Sequence, residues 1–161
     1  MAASASKAEK ASKLRENEKK WGSALVDAGW TLIPSTILEC QQTLGLDPVD
    51  LNILLQLARH WWQEGNPPHP SMKTIADCIG KHVSTVQRRI TKLRKRGLIR
   101  IEHRHNKHGG QTSSKYYFDG LIAEGTKLAE EAIADRKDTK QKAANRRRRR
   151  NPQGPKLKVI Q

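Results

Sequence analysis

At 161 residues the chain has room for one domain of ordinary size with tails, and no second independent core is expected. Thirty-one Lys and Arg against 16 Asp and Glu leave a net charge of +15, far more than solubility needs, which points to a polyanionic partner. No stretch approaches the ~18 apolar residues of a membrane span and the N-terminus has no signal-like apolar run, so the expected setting is cytoplasmic and nucleoid-associated, with no membrane partner. Cys40 and Cys78 lie far apart with no CxxC partner, which suggests buried thiols rather than a disulfide or a zinc ribbon.

The charge is concentrated rather than spread. Residues 1–20 carry +3, residues 21–80 carry −4, and residues 81–107 carry ten bases against one acid. Residues 108–134 return to −2, and the stretch from Asp135 carries eleven bases against two acids. A polyanion should therefore dock on 81–107.

In chain order, residues 1–29 suggest a basic arm, partly helical or disordered, with Leu14, Trp21 and Leu25 at helical spacing and Gly29 as a stop. Ile33-Pro34-Ser35 opens a short helix to about Thr43 that should bury Ile37, Leu38 and Leu44 and stop at Gly45. Asp47-Pro48-Val49-Asp50 is a helix start, with an Asp cap, proline at the first position and acid in the first turn. That helix is expected to run from 48 to 64, and it is apolar nearly all round, through Trp61 and Trp62. Such a helix must be covered on more than one side, by flanking segments of its own chain or by a homodimer partner.

Ser71 caps a helix expected over Met72–Ile79, and a second follows over about Val83–Arg96, ending at Gly97. Strands are expected at Leu98–His105 and Ser113–Phe118, joined by a loop containing Gly109-Gly110. A closing helix is expected from Leu121 to about Ala134. Residues 135–161, with Arg146 to Arg150 consecutive, cannot build a core and are expected to be a disordered Arg/Lys-rich tail. The ordered domain is thus expected over 30–134.

The middle of this order carries the functional signal. A helix-turn-helix needs a small residue where its helices cross, a turn glycine and an apolar anchor on the second helix, which Ala76, Gly80 and Val86 supply. Val86, Ile90 and Leu93 then fall at i, i+4 and i+7. At about 100° per residue this inward set points Ser84, Arg88, Thr91 and Lys95 outward, with Thr85, Gln87 and Lys92 flanking. Ser84, Thr85, Gln87, Arg88 and Thr91 are candidate base contacts in duplex DNA, Arg for guanine and Gln for adenine. Candidate phosphate contacts are Lys73, Lys81, Lys92, Arg94, Lys95 and Arg96, with Arg104, Lys107 and His108 on the hairpin. Arg146, Arg147, Arg148, Arg149 and Arg150 are candidate nucleic-acid contacts of the tail. His103, His105 and His108 lack a fourth ligand, so no metal is expected. No nucleophile–base pair, paired carboxylates or Walker-type loop appears, so neither an enzyme nor a cofactor is expected.

Across residues 29 to 128 the sequence resembles the bacterial winged helix-turn-helix family, on Gly29-Trp30, Ile33-Pro34, Leu44-Gly45-Leu46, Asp50-Leu51-Asn52, Pro68-His69-Pro70-Ser71, Ile75-Ala76, Gly80, Thr85-Val86-Gln87-Arg88, Leu93, Gly97-Leu98-Ile99 and Tyr116. The resemblance implies a mainly α fold with a small β-hairpin, flanked by helices. It also implies a transcriptional regulator or a replication or mobile-element accessory factor, and places Tyr116 and Phe118 inward. Where the family has an apolar residue and a Ser cap after the turn glycine, this chain has Lys81 and His82, which moves the expected helix start to Val83 or Ser84. An alternative role, motivated by the arginine run, is a subunit of a nucleoprotein complex that contains RNA.

Overall fold

The computed structural model describes residues 15–104 and 112–150, with side chains through residue 147. It is mainly α-helical with one two-stranded antiparallel hairpin, a winged helix-turn-helix with helical flanks. Helix α1 is described over 15–21, and Gly22, at φ +82°, separates it from α2 (Ser23–Asp27), which buries Val26. Helix α3 is Ser35–Glu39, shorter than expected, and the chain then turns through Gly45 with Leu44 and Leu46 buried. Ile37 is buried as expected, whereas Leu38 is 42 % exposed because a helix of little more than one turn presents a single inward position.

Helix α4 (Pro48–Arg59) begins on a complete capping box: the Asp47 carboxylate accepts from the Val49 and Asp50 N–H groups, and Asp50 accepts in return from the Asp47 N–H. It ends five residues before the expected Glu64. The His60 and Trp61 N–H groups bond three residues back, to Leu57 and Ala58, and the chain leaves the helix so that Trp61 stacks on Phe118 at 5.3 Å. Trp62 is left 73 % exposed. The next two helices of the chain pack on one side of α4, and Ile33, Ile37, Phe118 and Leu121 border an apolar hollow over Leu51, Leu55 and Ala58 on another.

Helices α5 (Met72–Ile79) and α6 (Val83–Lys95) form the helix-turn-helix. Ser71 caps α5 by accepting from the Thr74 N–H, as its sequence indicates. Gly80 and Gly97, at φ +62° and +73°, end the two helices in the same way. In each, the N–H of the residue after the glycine reaches back five residues, Lys81 to Ala76 and Leu98 to Leu93. Ala76, 1 % exposed, lies at the crossing, and Ile75, Val86, Ile90 and Leu93 fill the core around it. Cys78 is exposed on α5 and Cys40 half-buried, so neither is the buried thiol expected. Residue 78 lies at the edge of the buried face, three positions after Ile75, where its side chain is left to solvent.

Strands β1 (Arg100–Glu102) and β2 (Lys115–Tyr117) pair with Ile101 opposite Tyr116, and are shorter than the sequence suggests because Leu98 and Ile99 are buried in the core before pairing begins. Tyr116 and Phe118 face inward. Burial pushes the Tyr116 phenol up. The last helix, α7, is Asp119–Arg150, its start seated where the Leu121 N–H meets the Leu98 carbonyl at 2.9 Å. It was expected to stop near Ala134 with disorder beyond; instead it continues for four more turns. Ala, Lys, Gln and Arg are strong helix formers, and an anchored helix extends without a new nucleus.

One ionic cluster ties α4 to α6. Asp50, fully buried, accepts from Lys92 Nζ at 2.8 Å and lies 3.6 Å from Arg89 Nη1, and Arg89 also bonds the Asp47 carboxylate. Asp50→Ala therefore breaks the capping box and takes from Lys92 its close partner, while Arg89 keeps Asp47. Because Lys92 is 42 % exposed, the cost should fall below that of a fully buried pair, at about 2–3 kcal/mol, measurable by urea unfolding. Burial pushes the Asp47 carboxyl up, but the Asp50 N–H, the Arg89 guanidinium, the Val49 N–H and the Lys92 ammonium together outweigh it and hold the group below the usual range. Its contribution to stability is complete above the ordinary Asp pKa of about 4 and is lost as pH falls through the lowered folded value. Melting curves should show the wild type losing its margin over Asp47→Asn across that acidic window, and a constant margin would exclude this linkage.

Candidate nucleic-acid interface

The inner face of α6 is consumed by packing, with Val86, Ile90 and Leu93 at 0–1 % exposure. Its outer face carries exposed Ser84, Gln87 and Arg88 and half-buried Thr85 and Thr91. Arg88, Thr91, Lys92, Lys95 and Arg96 line one shallow concavity on this face. Four of these five belong to the residues expected to face outward or to flank that face.

The start of α6 is settled by a residue outside the expected set. His82 is the N-cap: its Nδ1 accepts from the Ser84 N–H at 3.3 Å and lies 2.7 Å from Ser84 Oγ. An imidazole thus replaces the Ser cap, the helix begins at Val83, and the Ser84 hydroxyl starts from an existing hydrogen bond.

The expected phosphate contacts divide into two groups. Lys81, Arg94 and Lys95 are exposed, and among the described residues no ion pair occupies them. Lys92 is held by Asp50. Arg96 donates to the Leu44 carbonyl at 2.7 Å and also to that of Gly45, whose φ of +57° leaves room for the guanidinium where a Cβ would collide with it. Lys73 pairs with Asp77 at 2.8 Å, one turn along α5, with both side chains largely exposed. Arg104 is half-buried just past β1 on the loop side of the hairpin, its carbonyl accepting from the Thr112 N–H. Lys107 and His108 lie outside the described residues, as do the side chains of Arg148, Arg149 and Arg150. Arg146 and Arg147 are exposed near the end of α7, on a different part of the molecule from α6.

Sequence reasoning missed Arg89 and Arg100. Arg89 flanks the inward side of α6, and its signal was the pair of acids at 47 and 50 awaiting cations. Arg100 forks onto Asp119 at 2.9–3.0 Å with its guanidinium 3.7 Å over the Tyr117 ring. Beside it the Tyr117 hydroxyl donates to Glu102 at 2.6 Å, which lowers the Glu102 carboxyl and raises the phenol. Of the ten bases in 81–107, Arg89, Lys92, Arg96 and Arg100 are thus engaged within the fold. His103 lies 3.1 Å from Ser114 Oγ, and no three His, Cys, Asp or Glu among the described residues cluster to hold a metal.

Residues 44–99 match the family model described as a helix-turn-helix domain. No curated protein matches the sequence. Two solved structures show a distant likeness. One is titled "Possible transcriptional regulator from Methanosarcina mazei Go1", 21 % identical over 64 % of this chain and 82 % of that one, with a TM-score of 0.42. The other is the YusO protein from Bacillus subtilis, 20 % identical over 89 % of this chain and 99 % of that one, also with a TM-score of 0.42. Likenesses this remote add nothing to the geometry. The matched stretch spans α4 to α6, and with the hairpin that follows it agrees with a winged helix-turn-helix fold.

His82→Ala should cost about 1 kcal/mol through the lost cap, and His82→Ser should recover most of it, both read from urea midpoints. Equal stability of wild type and His82→Ala would remove the imidazole from the capping role.

Proposed function

We propose that the protein reads duplex DNA by laying α6 in the major groove, as a transcriptional regulator or as a replication or mobile-element accessory factor. The observation that carries this is the division of α6 into a packed inner face and an outer concavity lined by Arg88, Thr91 and Lys95. A groove-bound helix needs short polar side chains near its start and a fork for guanine further along. Ser84, Thr85, Gln87 and Thr91 are the short and amide groups, and Arg88 is the fork. Lys81 precedes the helix and Arg94 and Lys95 follow the base-facing stretch, where the strands of a duplex flank a helix in its groove. Lys73 joins them by exchanging Asp77 for a phosphate, and Arg104, Lys107 and His108 bring the wing to the backbone. Lys92 and Arg96 act first in the fold and take a smaller share of phosphate binding than their charge suggests.

After selection of bound sites from random duplexes, Arg88→Ala should cost about 1–3 kcal/mol on the preferred site and relax discrimination at one base pair. Lys95→Ala should weaken all sequences alike and reduce the salt slope by about 0.9. Arg88→Ala weakening every sequence equally would refute base reading by this helix.

A further inference from the structure

Burial is confined to the first four turns of α7: Leu121 and Gly125 are buried and Leu128, Ala129 and Ala132 half-buried, Gly125 beside Ile37. Every residue described from 134 to 147 is exposed apart from the domain. Arg136, Lys137, Lys140, Lys142, Arg146 and Arg147 project from this part, and after Asp138 the sequence contains no further acid. Asp138 pairs with Lys142 at 2.7 Å. At a rise of about 1.5 Å per residue, six cations from 136 to 147 give one per about 3 Å of axis, a linear charge density close to that of one DNA strand, one phosphate per about 3.4 Å of duplex axis.

The position of this stretch follows from lengths alone. The start of α7 abuts the end of α6, with Gly120 against the Gly97 carbonyl. Arg147 lies 27 residues along α7 from Gly120, about 40 Å, whereas Arg88 lies 9 residues from Gly97 along α6, about 14 Å. The two arginines are therefore at least about 20 Å apart, more than twice the Debye length of about 8 Å at physiological salt. Whatever holds the end of α7 near Arg147 acts as an electrostatic site separate from Arg88. Arg136 with Lys140, and Lys142 with Arg146, are like charges one turn apart, an arrangement that weakens a free helix and that bound phosphate relieves.

We propose that the outer part of α7 is a second, sequence-independent DNA site, a helical grip on the phosphate backbone distinct from the surface of α6. The choice of DNA as the polyanion rests on the reading proposed for α6; the existence of the site does not. Its test uses the full chain and a mixed-sequence duplex. Replacing Lys140, Lys142, Arg146 and Arg147 together by Gln, a good helix former, should leave the melting temperature unchanged. It should lower affinity for the mixed-sequence duplex by about tenfold at physiological salt and reduce the salt slope by about 3, while leaving the ranking of sequences intact. Arg88→Ala, in contrast, should keep mixed-sequence affinity within about twofold, since phosphate contacts dominate nonspecific binding. The proposal is overturned if the quadruple variant keeps the wild-type salt slope, or if duplex RNA is bound and mixed-sequence DNA is not. Loss of sequence ranking in Arg88→Ala alone bears on α6 and leaves the grip standing.

Discussion

The orientation of α6 depends on two carboxylates at the start of another helix. Asp47 and Asp50 each serve twice, closing the N-terminus of α4 through the capping box and holding Arg89 and Lys92 from α6. A carboxylate as buried as Asp50 is tolerable only with cations and N–H donors around it. Every group in the cluster constrains the others: removing an acid frees a cation and frays α4, and removing a cation leaves a buried acid uncompensated. The apolar contacts of Ile53, Leu57, Val86 and Ile90 bring the helices together, but apolar contact is non-directional. Directional bonds at the α4 start set which face of α6 remains outside.

This cluster also changes what a charge count means. The −4 of residues 21–80 and the +9 of 81–107 are partly complementary halves of one folded unit rather than a neutral body beside a cationic docking surface. Arg89 and Lys92 meet acids, Arg96 meets two carbonyls, and Arg100 meets Asp119 and an aromatic face. Arginine dominates these internal roles because its planar fork satisfies several acceptors at once and its charge is less strongly hydrated than an ammonium. The outward charge of α6 is thereby narrowed to Arg88, Arg94 and Lys95, with Lys81 ahead of the helix.

The helix-turn-helix itself was legible in the sequence because its boundaries are written in local chemistry. Ser71 before α5, and Gly80 and Gly97 at left-handed positions, act within a few residues of where they sit, so each could be placed from neighbours alone. Elements whose limits depend on distant partners were not. Helix propensity would have carried α4 through Trp61, but a ring from the far side of the wing, Phe118, holds Trp61 off the helix. The imidazole cap at His82 was masked by the rarity of histidine in that role, although its position one residue before Val83 was the one a cap must occupy. Among the candidate site residues, direction was readable from periodicity and occupation was not. Lys92 lies on the flank the spacing gives it, yet whether an acid already waits there, or a carbonyl for Arg96, depends on residues more than 40 positions earlier.

The same distinction explains α7. Composition shows correctly that residues beyond Ala134 cannot form a core, but a core is a requirement for tertiary packing, not for helix propagation. The costly step is the first turn, and here packing of Leu121 and Gly125 on the domain provides it. Each later residue adds a hydrogen bond for a small conformational cost, and Ala143, Ala144 and Gln141 are residues for which that cost is low. What opposes propagation is electrostatic: successive turns bring like charges together, with Asp138 the last acid to offset them. Such a helix is anchored at its base and loaded with repulsion toward its end. A phosphate array set alongside would lower that repulsion, so under the proposed grip the cations that weaken the free helix are the ones that would stabilise the bound one.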